Sequence, residues 1–277
     1  MIEKLSQQER LDYLVEAFKK DSVRYADYPT PTDTEGKRRL LRSLMNIRMP
    51  KHLSEEVVSV QDDYLKARIR ENGIVTLNDI PTLAECGSGI GNAARISLWQ
   101  GDITRLEVDA IVNAANSQML GCFVPMHTCI DNCIHTFAGV QLRAECARQM
   151  AELRSVYGND YEQPTAVPML TDAYNLPAKK IVHIVGPIVS GRLTAKHERE
   201  LADCYKNTLD MCAENGLRSV AFCCISTGVF GFPQERAAEI AAETVTEWLN
   251  SHPSEIDRVI FNVFTERDRE IYERILQ

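Results

Sequence analysis

Apolar side chains recur at helical spacing along the first part of the chain. Leu11, Leu14, Val15 and Phe18 fall at positions i, i+3, i+4 and i+7, which lie on one face of a helix. Similar sets run from Leu40 to Ile47 and from Val57 to Ala67, and a proline-containing turn segment separates the first two sets. The spacing predicts three helices, which we assign to a small helical N-terminal region over residues 1–92.

From residue 93 onward, short apolar runs alternate with helical patterns. The runs at 96–99, 110–112, 166–170, 181–185, 220–225 and 259–264 are candidate strands, and 201–212 and 237–248 are the clearest helices. Short apolar strands separated by helices are typical of a sheet that is covered on both faces. The pattern therefore predicts an α/β domain over residues 93–277.

Composition and charge limit the partners. Hydrophobic residues make up 44% and charged residues 25% of the chain, as in ordinary globular proteins. The formal net charge of −8 repels polyanions, so we expect no nucleic-acid partner. The densest basic stretch, Lys37-Arg38-Arg39 with Arg42, is interpreted as a solvated helix face. No run approaches the roughly 20 apolar residues of a membrane-spanning helix, so we expect no membrane partner.

Cysteine usage indicates the compartment. The chain has nine cysteines, and its N-terminal segment is charged throughout, without the apolar run of a secretory signal. We therefore expect a cytoplasmic location, in which the cysteines are free, buried or metal-bound.

Three motifs follow predicted strands. Gly101-Asp102-Ile103-Thr104 and Asn113-Ala114-Ala115-Asn116 lie at strand ends, which is where ligands bind in open α/β sheets. Each tetrapeptide alone is equally compatible with a simple turn. The segment 226–233 is more informative, because two glycines and then Pro233 follow an apolar strand. Successive N–H groups in such a loop bind phosphate oxygens, and no lysine follows the glycines as it would in a Walker A loop.

The segment 121–129 contains two thiols and one imidazole, from Cys122, His127 and Cys129. Such groups bind zinc at about 2.0–2.3 Å, and three protein ligands with an open fourth position are the arrangement of a catalytic zinc. The alternative is that the cysteines are buried core residues and that His127 caps a turn. Cys133 and His135 are expected on the helix that follows, and the remaining cysteines are interpreted as core or inert residues.

In this order, the motifs resemble the macrodomain family. The matching segments are 101–104, 108–116, 134–139, 174–179, 181–187 and 226–231. The family's run of glycines after the Asn-Ala-Ala-Asn strand is missing here. The Cys-His-Cys segment stands in its place, and this resembles the zinc-containing subfamily of microbial macrodomains.

The resemblance implies a three-layer α/β/α fold that binds ADP-ribose at the carboxyl ends of the strands. Asp102 matches the carboxylate that accepts a hydrogen bond from adenine, with the backbone amide of Ile103 beside it. Asn116 matches the amide that orients the distal ribose, and Asp131 matches the catalytic carboxylate of hydrolytic members. The pyrophosphate loop corresponds to Ser226, Thr227, Gly228, Val229 and Phe230, and Phe230 matches the aromatic residue that covers the distal ribose.

The resemblance also implies a function. The protein is expected to be a zinc-dependent hydrolase that removes mono-ADP-ribose from protein side chains, linked through Asp or Glu. The implied zinc ligands are Cys122, His127 and Cys129, and the implied catalytic residues are Asn116 and Asp131. The subfamily makes a lipoyl-carrier protein a candidate substrate.

Two alternatives to this function remain open. One is a reader module that binds ADP-ribose without cleaving it, and the other is a metal-independent hydrolase with a structural zinc. The N-terminal region carries no catalytic motif. It is expected to be a stabilising extension packed on the macrodomain, or else to contribute to the cleft rim or to partner docking.

Overall fold

The computed structural model describes residues 5–277 and contains the three N-terminal helices that the spacing predicts. They are α1 (Gln7–Lys20), α2 (Thr34–Ile47) and α3 (Glu55–Asn72). Each helix is preceded by a residue whose side chain accepts a hydrogen bond from a backbone N–H of the first turn, namely Ser6, Asp33 and Ser54. Their apolar faces form a small core that includes Leu11, Leu14, Val15, Phe18, Leu41, Leu44 and Leu65.

A mixed sheet forms the centre of the rest of the chain. The strands are β1 (Val75–Thr76), β2 (Ile96–Gln100), β3 (Leu106–Glu107), β4 (Ala110–Ala115), β5 (Met169–Asp172), β6 (Lys180–Val185), β7 (Ser219–Phe222) and β8 (Arg258–Val263). Six of them make one sheet in the order β2-β8-β7-β4-β6-β5. Strand β5 runs antiparallel to β6, and the other neighbouring pairs are parallel. Strands β1 and β3 form a separate parallel pair.

Helices flank this sheet in the three-layer α/β/α architecture, which confirms the fold that the resemblance implies. They are α4 (Ile130–Ala138), α5 (Val140–Tyr157), α6 (Ala195–Glu214), α7 (Gln234–Ser251) and α8 (Glu266–Ile275). The central strands are covered on both faces, so that every residue of 181–185 in β6 is buried. The parallel neighbours β7 and β8 are joined through α7, as parallel strands require a crossover connection.

Two strand boundaries differ from the predicted ones. The run at 166–170 becomes a strand only at Met169, because Ala166 has a φ of 63°, in the left-handed region that interrupts a strand. The run at 220–225 leaves the sheet after Phe222. The three residues that follow lead to the loop at 226, which is part of the candidate site.

The N-terminal helices pack on the sheet domain through α4, which contacts both α2 and α3. Ile69 of α3 belongs to the large core of the sheet domain, and Val140 of α5 packs on the small N-terminal core. The domain boundary at residue 92 stays a prediction. Within residues 5–277, none of the helices has the length and apolar character needed to cross a membrane.

Candidate active site

The first predicted motif lies at the carboxyl end of β2. A 3-10 helix spans Ile103–Arg105, and Asp102 caps it. The Asp102 Oδ1 atom accepts hydrogen bonds from the backbone N–H of Thr104 at 3.0 Å and from its hydroxyl at 2.7 Å. No described residue donates to Oδ2. One carboxylate oxygen therefore holds the local backbone, and the other is available to a ligand.

A cluster of amides and a carboxylate occupies the carboxyl end of β4. The Asn113 side-chain amide donates to Asp131 Oδ1 at 2.8 Å, and the Asn116 side-chain amide donates to Asp131 Oδ2 at 3.3 Å. Asn116 also donates to the carbonyl of Gly121 at 3.3 Å. Both Asp131 oxygens are thus engaged by asparagines, and this carboxylate fixes the orientation of the Asn116 side chain.

Asp131 lies in the first turn of α4 and is only 4% exposed. Burial raises the pKa of its carboxyl to about 6, against the lowering effect of the hydrogen bond from Asn113. The structure thus brings Asp131 and Asn116, the two predicted catalytic residues, into direct contact.

The predicted pyrophosphate loop runs from the end of β7 to α7. Ser226 has a φ of 64°, and its buried hydroxyl has no hydrogen-bond partner among the described residues. The loop is closed by hydrogen bonds from Phe232 N–H to the Ser226 carbonyl at 3.0 Å and from Gly231 N–H to the Gly228 carbonyl at 3.1 Å. Between residues 5 and 277, the backbone N–H groups of 227–230 find no backbone acceptor. Free amides next to the N-terminus of a helix, here α7, are an arrangement that suits an anion, as the sequence predicts for this loop.

A close approach of the backbone holds this loop against the end of β6. A Cβ atom built on Gly186 would lie 2.1 Å from the Ser226 hydroxyl oxygen, which no side chain can do. On the other side, the Val189 N–H donates to the Phe230 carbonyl at 2.8 Å. The loop is therefore fixed at both ends while its middle, with Val229 84% exposed, faces solvent.

The structure brings Cys122, His127 and Cys129 together. Their ligand atoms all lie within 4.8 Å of one another, and the Cys122 sulfur is 3.7 Å from His127 Nδ1. Cys129 is also the N-cap of α4, where its sulfur accepts the backbone N–H of Asn132 at 3.4 Å. Cys133 lies on α4, as predicted, with its sulfur 3.6 Å from Arg42 Nη2.

The chemistry of this donor set fits zinc. Two sulfurs and one imidazole nitrogen are the ligand types that zinc prefers, and the three residues are half-buried. Burial raises the pKa of the Cys129 thiol to about 12, and the nearby Cys122 and Asp131 add to the rise. Two adjacent thiols ionise together only beside a cation, which stabilises both thiolates.

The interpretation of the basic stretch as a solvated helix face is wrong for Arg42. This side chain is half-buried on α2 and donates to the carbonyl of His127 at 2.8 Å and to Asn132 Oδ1 at 2.9 Å. The i, i+3 spacing of apolar residues shows which face of a helix is buried. It does not show which groups of other elements an arginine at the edge of that face contacts.

The sequence reasoning also missed Arg143, which is buried on α5. It donates to the carbonyl of Leu120 at 2.7 Å, and its guanidinium carbon lies 4.2 Å from the centre of the Phe123 ring. Burial lowers the pKa of Arg143 to about 10. The available signal was an arginine next to the apolar stripe Leu142, Cys146 and Met150 of α5.

Comparisons with known proteins identify the family and agree with the fold. A family model for the Macro domain matches residues 112–241. Over 272 residues the chain is 47% identical to a protein-ADP-ribose hydrolase of Treponema medium, covering 98% of this chain and 100% of that protein. It is 40% identical over 272 residues to a protein-ADP-ribose hydrolase of Staphylococcus aureus, covering 98% and 96% of the two chains. The chain belongs to the macrodomain family.

Solved macrodomains share the architecture. The Trypanosoma brucei macrodomain in complex with ADP-ribose aligns with a TM-score of 0.65 and 29% identity, covering 85% of this chain and 95% of that one. The Oceanobacillus iheyensis macrodomain with ADP aligns with a TM-score of 0.58 and 34% identity, covering 68% and 93%.

Proposed function

We propose that this protein is a zinc-dependent hydrolase that removes mono-ADP-ribose from modified protein side chains. The observation that carries the proposal is the contact between the two halves of the site. The Asn116 amide donates both to Asp131 and to the carbonyl of Gly121, which directly precedes the ligand residue Cys122. Relatives that align over nearly their whole length carry the name protein-ADP-ribose hydrolase, and they support the hydrolase part of this proposal.

Two of the motifs at the sheet edge would bind the adenine and the pyrophosphate of ADP-ribose. The free Oδ2 oxygen of Asp102 accepts a hydrogen bond from the amino group of adenine. The backbone amide of Ile103 lies beside this carboxylate. The amides of Ser226, Thr227, Gly228, Val229 and Phe230 surround the pyrophosphate. An acidic protein thereby binds an anion through local N–H groups and the dipole of α7, without a basic surface.

Cys122, His127 and Cys129 would hold the zinc and leave its fourth position open to an oxygen of the substrate or to water. When bound, zinc supplies a Lewis acid that polarises such an oxygen or lowers the pKa of a bound water. The chain itself fixes the geometry on the other side of the distal ribose. Asp131 orients the Asn116 amide, and Asn116 in turn orients the ribose hydroxyl groups.

The proposed substrate linkage is an ester between the distal ribose and an Asp or Glu side chain. Hydrolysis adds water across this bond and gives ADP-ribose and a free carboxylate. A mono-ADP-ribosylated lipoyl-carrier protein is the candidate substrate to compare with an unrelated modified protein.

The test combines metal analysis with turnover. We expect about one zinc per chain, lost in Cys122→Ala and Cys129→Ala and retained in the matched control Cys133→Ala. Release of ADP-ribose from a protein modified on Asp or Glu is measured before and after chelation, and again after zinc is restored. Loss and recovery of turnover support the proposal.

The other outcomes identify the alternatives. Full turnover in the metal-free protein would indicate a metal-independent hydrolase with a structural zinc. ADP-ribose binding without turnover, on several linkages and with zinc present, would indicate a reader module.

A further inference from the structure

The N-terminal helix α2 contacts the loop that carries the candidate metal ligands. Its Arg42 side chain reaches this loop with a single nitrogen, Nη2, which donates to the His127 carbonyl at 2.8 Å and to Asn132 Oδ1 at 2.9 Å. The same nitrogen lies 3.6 Å from the sulfur of Cys133. Arg42 is thus bonded to the backbone of one ligand residue and to a side chain that holds the others.

Asn132 connects Arg42 to the two cysteine ligands. This residue is fully buried, and its side-chain amide donates to the carbonyls of Cys122 at 3.3 Å and Val124 at 3.0 Å. Its backbone N–H donates to the sulfur of Cys129 at 3.4 Å. The hydrogen bond from Arg42 holds the side-chain oxygen of Asn132 towards α2. The side-chain NH₂ group of Asn132 therefore faces the ligand loop.

Asn46, one turn further along α2, holds the loop at a second point. It is 1% exposed, its side-chain oxygen accepts the backbone N–H of Met126 at 3.0 Å, and its amide donates to the Thr136 hydroxyl at 2.9 Å. Met126 has a φ of 59° and directly precedes the ligand His127. A left-handed residue at this point sets the direction in which the histidine enters the site.

The ligand loop has no regular secondary structure between β4 and α4. Fixing each residue of such a loop costs conformational entropy, which metal binding has to supply unless other contacts already hold the loop. Groups that orient metal ligands by hydrogen bonds commonly change metal affinity by about 10–100-fold. Helix α2 makes such contacts from outside the α/β domain.

We propose that α2 is part of the metal site, with Arg42 and Asn46 as positioning residues that hold the loop 122–129 in its ligand geometry. This inference rests on the proposed zinc function. It gives the N-terminal region a specific role, which is to organise the site from outside the sheet domain. Neither residue touches the substrate in this proposal, since both act through the backbone and through Asn132.

The test is the zinc affinity of the full-length protein, measured by competition with a chromophoric chelator. We expect Arg42→Ala and Asn46→Ala to weaken zinc binding by about 10–100-fold. The matched control is Arg39→Ala, on the same helix but exposed, which should bind zinc like the unmodified protein. Arg42→Lys keeps the charge and a donor group, but its ammonium ends a shorter side chain than the Nη2 nitrogen that makes both hydrogen bonds, so an intermediate affinity is expected.

ADP-ribose affinity in the metal-free variants provides the second readout. The adenine and pyrophosphate motifs lie at β2 and β7, so binding should stay within about twofold of the unmodified protein if the effect is confined to the loop. Equal losses of ADP-ribose affinity and zinc affinity would mean a general folding role and would overturn the inference. So would unchanged zinc affinity in both alanine variants. If the unmodified protein itself takes up no zinc, the proposed function fails first, and that result is distinct from the other two.

Discussion

At the scale of single residues, the pyrophosphate loop depends on a missing side chain. Ser226 occupies the left-handed region with a φ of 64°, a conformation that costs energy for any residue other than glycine. Its hydroxyl is buried against the backbone at Gly186. The strained serine and the glycine opposite it therefore form one unit, which fixes the start of the loop.

Replacing this glycine tests that unit. In Gly186→Ala, the new methyl group would lie 2.1 Å from the Ser226 oxygen and 2.7 Å from a methyl carbon of Ile225. We expect unfolding free energy to fall by about 1–3 kcal/mol, as for other overpacked positions, and ADP-ribose affinity to fall by at least about tenfold. Calorimetry and denaturant titration measure the two effects. The control is Gly89→Ala, whose methyl group would meet no atom within 4 Å. Equal behaviour of the two variants would contradict the account of the loop.

Asp102 carries a second prediction at this scale, because its two carboxylate oxygens have different tasks. Asp102→Ala should weaken ADP-ribose binding by about 1.5–3 kcal/mol, the usual effect of losing a hydrogen bond to a charged group. Zinc content should not change. Asp102→Asn keeps an oxygen that can accept the Thr104 N–H, so it separates the loss of the cap from the loss of the ligand contact. Unaltered ADP-ribose affinity in both variants would remove Asp102 from the site.

At the scale of elements, helix α4 links structure and chemistry at its first turn. Its N-cap is Cys129, a candidate metal ligand, and Asp131 follows two residues later. The sulfur of Cys129 accepts a backbone N–H, although sulfur is a weaker acceptor than the oxygen of the usual capping residues. A better cap at this position would therefore be a poorer zinc ligand.

This conflict leads to a prediction for Cys129. In metal-free protein, Cys129→Ser should be more stable to denaturant than Cys129→Ala by about 1 kcal/mol, because a serine oxygen caps the helix and a methyl group does not. Both variants should lose zinc, since a neutral hydroxyl is not a ligand of structural or catalytic zinc sites. Denaturant unfolding in excess chelator and metal analysis are the measurements. Zinc retained at the normal level in Cys129→Ser would exclude the thiolate as a ligand.

The sequence allowed most elements to be predicted, and the differences have local causes. Strands β6 and β8 and helices α6 and α7 were predicted because buried parallel strands and amphipathic helices leave long apolar patterns. Helix α5 was not specified, because it has only four buried positions in 18 residues and one of them is Arg143, so its apolar stripe is short. The start of β5 was misplaced, because nothing in the sequence marks Ala166 as left-handed.

At the scale of the whole molecule, the chemical motifs could be predicted from the sequence, but the contacts that hold them in place could not. The Cys-His-Cys spacing and the loop at 226 are local patterns, because each lies within one short segment of the chain. By contrast, Arg42 meets Asn132 across 90 positions, and Asn113 meets His183 across 70. Such contacts depend on how separate elements pack, and no spacing in one sequence encodes them.

One of these long-range contacts, between Asn113 and His183, determines which nitrogen of a buried imidazole carries the proton. His183 is fully buried on β6, where Nδ1 lies 3.0 Å from the Asn113 side-chain nitrogen and Nε2 lies 2.9 Å from the Thr171 hydroxyl. An amide nitrogen only donates, so Nδ1 accepts and carries no proton, which leaves the proton on Nε2. Burial lowers the pKa of His183 to about 3, and burial together with the nearby His183 holds the pKa of His135 well below its usual range.

These histidines make stability depend on pH. Below about pH 6.5 the unfolded chain binds a proton at each histidine while the folded protein leaves His183 neutral, so stability is present above this pH and is lost as the pH falls towards 3. We expect each buried histidine to contribute up to about 1.4 kcal/mol per pH unit between pH 6 and 4. In His183→Gln the slope should fall by up to that amount, because of the two buried histidines only His135 still contributes, whatever the variant's stability at neutral pH. Denaturant unfolding at several pH values measures both slopes. Parallel curves for the unmodified protein and His183→Gln would mean that His183 is protonated in the folded state, against the hydrogen-bond pattern around its ring.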